Sequence, residues 1–148
     1  LGLNKTKPVL RHGKEPVIKY TSSKRESVME IYNVVEEIRK EGKHSIAIIT
    51  KTFKEAKVLE KDIKRYTNLE YTIIKGNEKS APSTDVVIIP VYLTKGLEFD
   101  GTIIYNPLES VYENNLLNQR LLYVGLTRAL HYEYIIAEGK LSQNIKTN

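Results

Sequence analysis

The fold is indicated most clearly by Ser45-Ile46-Ala47-Ile48-Ile49-Thr50, which is followed at once by Thr52-Phe53-Lys54-Glu55. The first run is short and apolar, as in a parallel strand that is buried on both faces. The second run has a threonine three positions before a glutamate, which is the capping-box pattern that begins a helix. Together they predict a β–α unit whose helix continues to about Tyr66.

The same alternation extends in both directions along the chain. Upstream, a predicted strand at 17–20 precedes a second capping box at 23–26 and a helix that ends at Gly42. Downstream we expect strands at 71–74, 85–90, 102–105 and 132–137, and a helix from about Ser110 to about Leu130. This alternation predicts an α/β fold with a mostly parallel sheet, which binds its ligands beyond the carboxyl ends of the strands.

Composition limits the class of protein. The chain has 148 residues, enough for one domain with a hydrophobic core. Its 23 Lys and Arg against 18 Asp and Glu suit an anionic partner without proving one. With no cysteine and with three isolated histidines, we expect no disulfide and no metal site in this segment. No apolar run is long enough to span a membrane and no secretory signal is visible, so we expect a soluble, cytoplasmic protein.

The first residues do not share this organisation. Residues 1–15 carry Lys, Pro and Gly without periodicity, and they are predicted to be a linker or arm from an upstream domain. The remaining residues, 16–148, are predicted to form the domain. The chain also begins without a methionine, and we therefore expect it to be a piece of a longer protein.

Two segments carry the strongest signals of function. Thr94-Lys95-Gly96-Leu97-Glu98-Phe99-Asp100 resembles motif V of the UvrD/Rep family of superfamily 1 helicases, and Leu122-Tyr123-Val124-Gly125-Leu126-Thr127-Arg128-Ala129 resembles motif VI. A softer match at 46–51 resembles the motif IV region. Over roughly 45–137 the chain is therefore similar to the second RecA-like domain of these helicases, a three-layer sandwich of the P-loop NTPase type. Within the family, the chain looks most like the helicase-IV (HelD-type) branch. This resemblance is carried by Arg11, Gly13 and Pro16 and by residues 90–93.

The resemblance implies that this domain completes an ATP site. Arg128 would be the arginine finger, because a guanidinium on a rigid element can stabilise the charge that develops during phosphoryl transfer. Glu98 would accept a hydrogen bond from the ribose, beside Gly96, where the backbone can approach closely. Lys51 and Arg120 would contact phosphate, although relatives usually carry Arg at the position of Lys51.

Each of these assignments has a structural alternative. Arg128 could pair within the domain at a helix end, and Glu98 could face solvent beside a turn. Lys51 lacks the two-pronged geometry of Arg and could simply be solvated. These alternatives predict a folded domain without a nucleotide contact at the residue concerned.

The resemblance also implies a nucleic-acid contact after the strand at 85–90. Tyr92 replaces a histidine that contacts single-stranded DNA in relatives, and its ring could stack on a base or lie in the interior. Thr94 and Lys95 follow it as further candidates for DNA binding. A second basic surface lies on the second predicted helix, α2, which runs from Thr52 to about Tyr66. We call it the α2 stripe, and its pattern is typical of a solvated helix face. It consists of Lys54, Lys57, Lys61 and Lys64.

Two absences decide the role of the chain. It contains no G-x-x-x-x-G-K-[ST] phosphate loop and no Asp-Glu pair of the Walker B type. The resemblance implies that the first RecA-like domain of the same parent chain supplies the phosphate loop and the Mg²⁺ ligands. We therefore expect the C-terminal motor domain of an ATP-dependent DNA helicase or translocase, acting on single-stranded or duplex DNA and inactive alone. The alternative is a HelD-type factor that uses ATP to displace RNA polymerase through protein contacts.

Overall fold

A computed structural model describes residues 15–145 of the chain. The strands of this part are β1 (Val17–Tyr20), β2 (Ile46–Thr50), β3 (Thr72–Ile73), β4 (Val86–Pro90), β5 (Phe99–Tyr105) and β6 (Ala129–Ala137). The helices are α1 (Lys24–Lys40), α2 (Phe53–Tyr66) and α3 (Leu116–Leu126), and a single 3₁₀ turn covers Val91–Leu93. Of the predicted linker at 1–15, only Glu15 lies within the described residues. Arg11 and Gly13, which contribute to the resemblance to the helicase-IV branch, therefore lie outside them.

The strands form one sheet in the order β1-β6-β5-β2-β4-β3. Every neighbouring pair is parallel. At the centre, Ile49 of β2 lies level with Ile89 of β4 on one side and with Ile104 of β5 on the other. The predicted α/β fold with a parallel sheet is confirmed, and β2 is buried along its whole length, as its apolar sequence predicts.

The first two helices begin where their capping boxes predict. The hydroxyl of Ser23 accepts a hydrogen bond from the backbone N–H of Glu26 at 3.0 Å, and the hydroxyl of Thr52 accepts one from the N–H of Glu55 at 3.2 Å. In both cases the glutamate reaches one residue further back than the usual box. Its carboxylate accepts from the N–H of Ser22 or of Lys51. The bonds to the two hydroxyls satisfy backbone donors that the first helical turn leaves unpaired.

The helices cover the sheet in two layers. Ile48 and Ile103 lie in the core beneath α1 and α2. Their neighbours Ile49 and Ile104 point to the opposite face and pack with Leu122 of α3. Successive residues of a strand point to opposite faces, so an uninterrupted apolar strand can serve both layers. The result is the predicted three-layer sandwich.

The third helix is shorter than predicted. The expected helix from 110 to 130 was wrong at both ends, because α3 begins after Asn115 and ends at Leu126. Tyr112 is buried, and its carbonyl oxygen accepts a hydrogen bond from the Ser142 hydroxyl at 2.7 Å, which holds this segment outside the helix. The side chain of Asn115 then caps α3 by accepting from the N–H of Asn118 at 2.9 Å.

Strands β5 and β6 both begin earlier than predicted. Phe99 pairs with Ala129 at the start of the two strands. The backbone N–H of Phe99 donates to the carbonyl oxygen of Arg128 at 3.0 Å, which draws the chain into an extended conformation directly after α3. Arg128 therefore lies between α3 and β6, and its predicted position within the helix from about Ser110 to about Leu130 was wrong.

Candidate functional site

The segment that resembles motif V connects β4 to β5 across the α3 face of the sheet. Thr94 is fully buried, and its hydroxyl donates a hydrogen bond to the carbonyl oxygen of Val91 at 2.7 Å. The N–H of Leu97 then donates to the carbonyl oxygen of Thr94 at 2.9 Å. Gly96 has a φ of 85°, in the left-handed region that favours glycine. A tight turn thus presents Leu97 and Glu98 just before β5.

Glu98 is exposed at the end of this turn. Its carboxylate accepts no hydrogen bond from the part of the chain that the structure describes, whereas its neighbours are held by the turn on one side and by β5 on the other. A carboxylate in this position is free to accept a hydrogen bond from a ligand hydroxyl.

Arg128 has its guanidinium held by three bonds within the domain. Nε donates to the carbonyl oxygen of Val124 at 2.9 Å, Nη1 to that of Leu97 at 3.3 Å, and Nη2 to the hydroxyl of Thr127 at 3.1 Å. None of these acceptors is a carboxylate, and no ion pair to Arg128 exists within residues 15–145. The positive charge is therefore positioned but not neutralised, and one N–H on each Nη nitrogen stays available.

The structure brings the motif V and motif VI segments together. Leu97 bonds the Arg128 side chain, and Phe99 bonds the Arg128 backbone. Close packing behind them is provided by Gly125, where a Cβ atom would lie 3.3 Å from a methyl group of Val91. Gly96, Glu98 and Arg128 thus form one cluster, which we call the Glu98–Arg128 cluster.

The position of this cluster differs from the sequence-based expectation. Function was expected beyond the carboxyl ends of the strands, but Glu98 and Arg128 immediately precede β5 and β6 and so lie at their amino ends. The difference arises because the connection from β4 to β5 must return across the sheet between parallel strands. The connection therefore ends beside the amino ends of the strands, and Glu98 lies there.

Lys51 does not join the cluster. It follows the carboxyl end of β2, whereas Arg128 precedes the amino end of β6, and the five residues of β2 span about 16 Å. Its Nζ donates to the carbonyl oxygen of Val111 at 2.7 Å and lies 5.3 Å from the ring centroid of Tyr112. Burial raises the pKa of Tyr112, and the charge of Glu55 raises it further, so the ring stays a neutral phenol beside the ammonium. This Lys51 contact anchors the segment before α3.

The remaining predicted site residues differ in exposure. Tyr92 is 55% exposed in the 3₁₀ turn, so the alternative of an interior tyrosine is wrong. Lys95 is exposed, and Arg120 is exposed on α3 and forms no hydrogen bond or ion pair with Glu98 or Arg128. The Thr94 side chain is buried and bonded within the turn, and its nucleic-acid contact stays a prediction.

The α2 stripe is partly neutralised by its own helix. Lys57 and Lys64 both pair with Glu60, at 2.9 and 3.4 Å. Lys54 and Lys61 are exposed and form no ion pair with the described residues. Pairs spaced in this way are usual on solvated helices, which favours the solvated alternative for the α2 stripe.

Sequence reasoning missed two groups of the cluster. One is the carbonyl oxygen of Leu97, a backbone atom that no residue type could reveal. The other is the hydroxyl of Thr127, and its position next to Arg128 was the only signal in the sequence. Among residues 15–145 no group of three or more His, Cys, Asp or Glu side chains could hold a metal ion, and no helix has the length and apolarity needed to cross a membrane.

The parallel six-stranded sheet, with the segments that resemble motif V and motif VI at the start of β5 and β6, has the architecture of a RecA-like domain. Residues 85–136 match the family model described as the UvrD-like helicase C-terminal domain. Over these residues the chain is similar to the C-terminal domain of UvrD-like helicases.

A solved structure has the same architecture over nearly the whole chain. It is the C-terminal domain of a possible DNA helicase from Lactobacillus plantarum WCFS1, with 29% sequence identity and a TM-score of 0.80. The similarity covers 96% of this chain and 85% of that one. No curated protein sequence matches the chain. These similarities point to the C-terminal domain of UvrD-like helicases but to no branch of the family, so the helicase-IV-type assignment stays a prediction.

Proposed function

We propose that this domain is the C-terminal motor domain of an ATP-dependent DNA helicase or translocase and completes an ATP site with the first RecA-like domain of the same protein. In this proposal Arg128 is the arginine finger and Glu98 binds the ribose beside Gly96. The observation that carries the proposal is the guanidinium of Arg128, which is held by three neutral acceptors beside Glu98 and has no carboxylate partner in the described chain.

The chemistry of the guanidinium supports this role. Charge moves onto phosphoryl oxygens during hydrolysis, and a preorganised cation stabilises that charge without reorganising at the moment of reaction. The two uncommitted N–H groups of Arg128 suit two oxygens of one phosphoryl group. Arginine fingers contribute about 10³- to 10⁵-fold to the rate of such reactions.

The domain supplies only part of the site. ATP hydrolysis requires Mg²⁺ and a phosphate cradle, and the chain has no phosphate loop. We therefore assign the Mg²⁺ ligands and the cradle to the first RecA-like domain. The isolated domain is expected to show no ATP turnover.

DNA contact is assigned to Tyr92 and Lys95. The Tyr92 ring is exposed at the carboxyl end of β4, and Lys95 follows within the same connection that ends at Glu98. Closure of the two motor domains on ATP would thus reach the DNA-contacting residues through a few residues of backbone. Arg120 and Lys51 are left out of the ATP site, because neither lies in the Glu98–Arg128 cluster.

Displacement of RNA polymerase is not part of the proposal. The matched family and the similar structure are described as helicases, and neither description mentions a polymerase. That alternative stays a prediction of the sequence.

The test uses the intact helicase that contains this domain. Arg128→Ala is expected to lower kcat for ATP about 10³-fold with a smaller change in nucleotide Kd, because the finger acts mainly in the transition state. Arg128→Lys should restore little, since lysine has no two-pronged donor. The control is Arg65→Ala, which removes an exposed arginine that lies over the ring of Tyr66, on the opposite face of the sheet from α3. Turnover above about a tenth of wild type in Arg128→Ala would refute the proposal.

A further inference from the structure

The hydroxyl of Thr127 connects the end of α3 to the guanidinium of Arg128. Its oxygen donates to the carbonyl oxygen of Tyr123 at 2.8 Å and accepts from Nη2 of Arg128 at 3.1 Å. The carbonyl oxygen of Val124, at 3.1 Å, is an alternative acceptor for the same proton. A hydroxyl has one proton and two lone pairs, so it can donate to the helix and accept from the arginine at the same time.

The backbone of Thr127 is fixed as firmly as its side chain. Thr127 is the C-cap of α3, and its N–H donates to the carbonyl oxygens of Tyr123 and Val124 at 3.1 and 3.3 Å. The branched Cβ further restricts rotation of the side chain. The oxygen atom is therefore a fixed acceptor, and the orientation of any group bonded to it is set by α3.

Each contact to Arg128 restrains a different part of its side chain. Val124 holds Nε, close to the aliphatic stem, and Leu97 holds Nη1 on the side of the β4–β5 connection. Among residues 15–145 only Thr127 holds Nη2. Without this bond the guanidinium would keep only its Nε and Nη1 contacts, and its plane could turn about the line that joins them, which would move the two free N–H groups away from their common direction.

We propose that Thr127 is a positioning residue for Arg128: its hydroxyl sets the rotation of the guanidinium so that both free N–H groups face the same phosphoryl group. This inference rests on the proposed function of Arg128. Thr127 does not touch the nucleotide in this account and acts only through the arginine.

The fold offers a closely matched control in Thr67. Thr67 is the C-cap of α2, and its hydroxyl donates to the carbonyl oxygen of Ile63 at 2.9 Å, the same four-residue step as from Thr127 to Tyr123. It also accepts a hydrogen bond, from the N–H of Leu69 at 3.2 Å. No arginine of the described chain bonds this hydroxyl. Removal of the Thr67 hydroxyl therefore shows how much the protein is affected when a helix loses a C-terminal threonine hydroxyl that bonds no arginine.

The experiment measures ATP turnover of the intact helicase with single-stranded DNA. Thr127→Val keeps the shape but removes the hydroxyl, and it is expected to lower kcat about 10- to 100-fold, since misplacement of a catalytic group by about 1 Å costs up to 10²-fold. The KM for ATP should change less than about threefold, because ground-state binding is mostly retained. Thr127→Ser restores the hydroxyl and is expected to keep at least about half of wild-type kcat, and Thr67→Val should leave kcat unchanged.

A double-variant comparison separates positioning from general structure. In an Arg128→Ala background, Thr127→Val should cause no further loss of kcat, because the group that it positions is absent. An additional loss of the same size as in the wild-type background would overturn the proposal. So would a Thr127→Ser variant as slow as Thr127→Val, or a Thr67→Val variant that loses as much.

The same set of variants distinguishes this inference from the proposed function. If Arg128→Ala keeps its turnover, the arginine finger itself is refuted. If Arg128→Ala is inactive and Thr127→Val is as fast as wild type, the finger stands and the positioning role of Thr127 is overturned.

Discussion

The carbonyl oxygen of Leu97 accepts a hydrogen bond from Nη1 of Arg128 at 3.3 Å, across 31 residues of sequence. Leu97 lies between Gly96 and Glu98, so the guanidinium is bonded to the same turn that presents the carboxylate. A change in the turn would therefore alter both groups, and a ligand that binds one of them would be sensed by the other.

The turn itself can be tested with a pair of glycines. Gly96 and Gly42 have φ angles of 85° and 80°, and a Cβ at either position would meet no atom within 4 Å. Alanine at each site should therefore cost a similar strain, about 1–2 kcal/mol. Only Gly96→Ala should raise the KM for ATP, by about tenfold if some 1.4 kcal/mol of nucleotide contact is lost. Equal KM values for the two alanine variants would argue against a nucleotide contact at this turn.

The role of Lys51 can be separated from phosphate binding. Lys51→Met removes the ammonium that bonds Val111 and stacks on Tyr112. We expect a loss of about 1–2 kcal/mol of stability, because the partly buried carbonyl of Val111 loses its charged donor. Calorimetry of the domain should show a fall in Tm of about 3–8 °C, while Lys54→Met, an exposed change, shows almost none. A higher KM for ATP with an unchanged Tm would instead support the phosphate contact.

DNA binding should depend on the β4–β5 connection more than on α2. Tyr92→Ala is expected to weaken binding of labelled single strands to the intact helicase about tenfold, since stacking on one base contributes about 1–3 kcal/mol. Lys95→Ala should reduce the slope of log affinity against log salt by about 1. Fluorescence anisotropy at several salt concentrations measures both effects.

The comparison for these variants is neutralisation of the α2 stripe by glutamine at all four lysines. We expect a smaller loss of affinity, because Lys57 and Lys64 already pair with Glu60. If the stripe variant lost binding while Tyr92→Ala and Lys95→Ala kept it, the DNA contact would lie on α2. If none of the variants changed binding, a protein partner would become the better explanation of this surface.

The stability of α2 should depend on the charge of Glu60. Burial acts to raise the pKa of Glu60, but hydrogen bonds from Lys57 and Tyr71 and the nearby lysine charges outweigh it, so the pKa is lowered. A carboxylate whose pKa is lowered in the folded state stabilises the fold at pH values above its unfolded-state pKa. This stabilisation disappears as the pH falls through its folded-state pKa. Glu60→Gln should therefore lower the free energy of unfolding by about 1 kcal/mol at pH 7.

Denaturation with urea from pH 7 to pH 3 checks this expectation. The difference between the Glu60→Gln variant and wild type should shrink below about pH 4, where glutamate begins to be protonated. A difference that stayed constant over this range would mean that packing, and not the charge of Glu60, accounts for the effect.

The sequence by itself determined the class of fold and the positions of α1 and α2. Apolar strands such as β2 need two covered faces, and the helix starts at Ser23 and Thr52 carry their own capping groups, so both features are encoded within a few residues. Motif V and motif VI could be recognised in the same way, because each is a contiguous string. Their resemblance to the helicase family did not depend on where the strings lie in space.

The tertiary structure alone decided the start of α3, the position of Arg128 and the separation of Lys51 from the site. Tyr112 is held outside the helix by Ser142, and Arg128 is drawn out of it by the backbone of Phe99. Both contacts join segments distant in sequence, so no local propensity reveals them. Lys51 and Arg128 lie at opposite ends of the strands. Lys51 follows the carboxyl end of one parallel strand and Arg128 precedes the amino end of another, so a full strand length separates the two positions. Only the strand order and register show which residues meet.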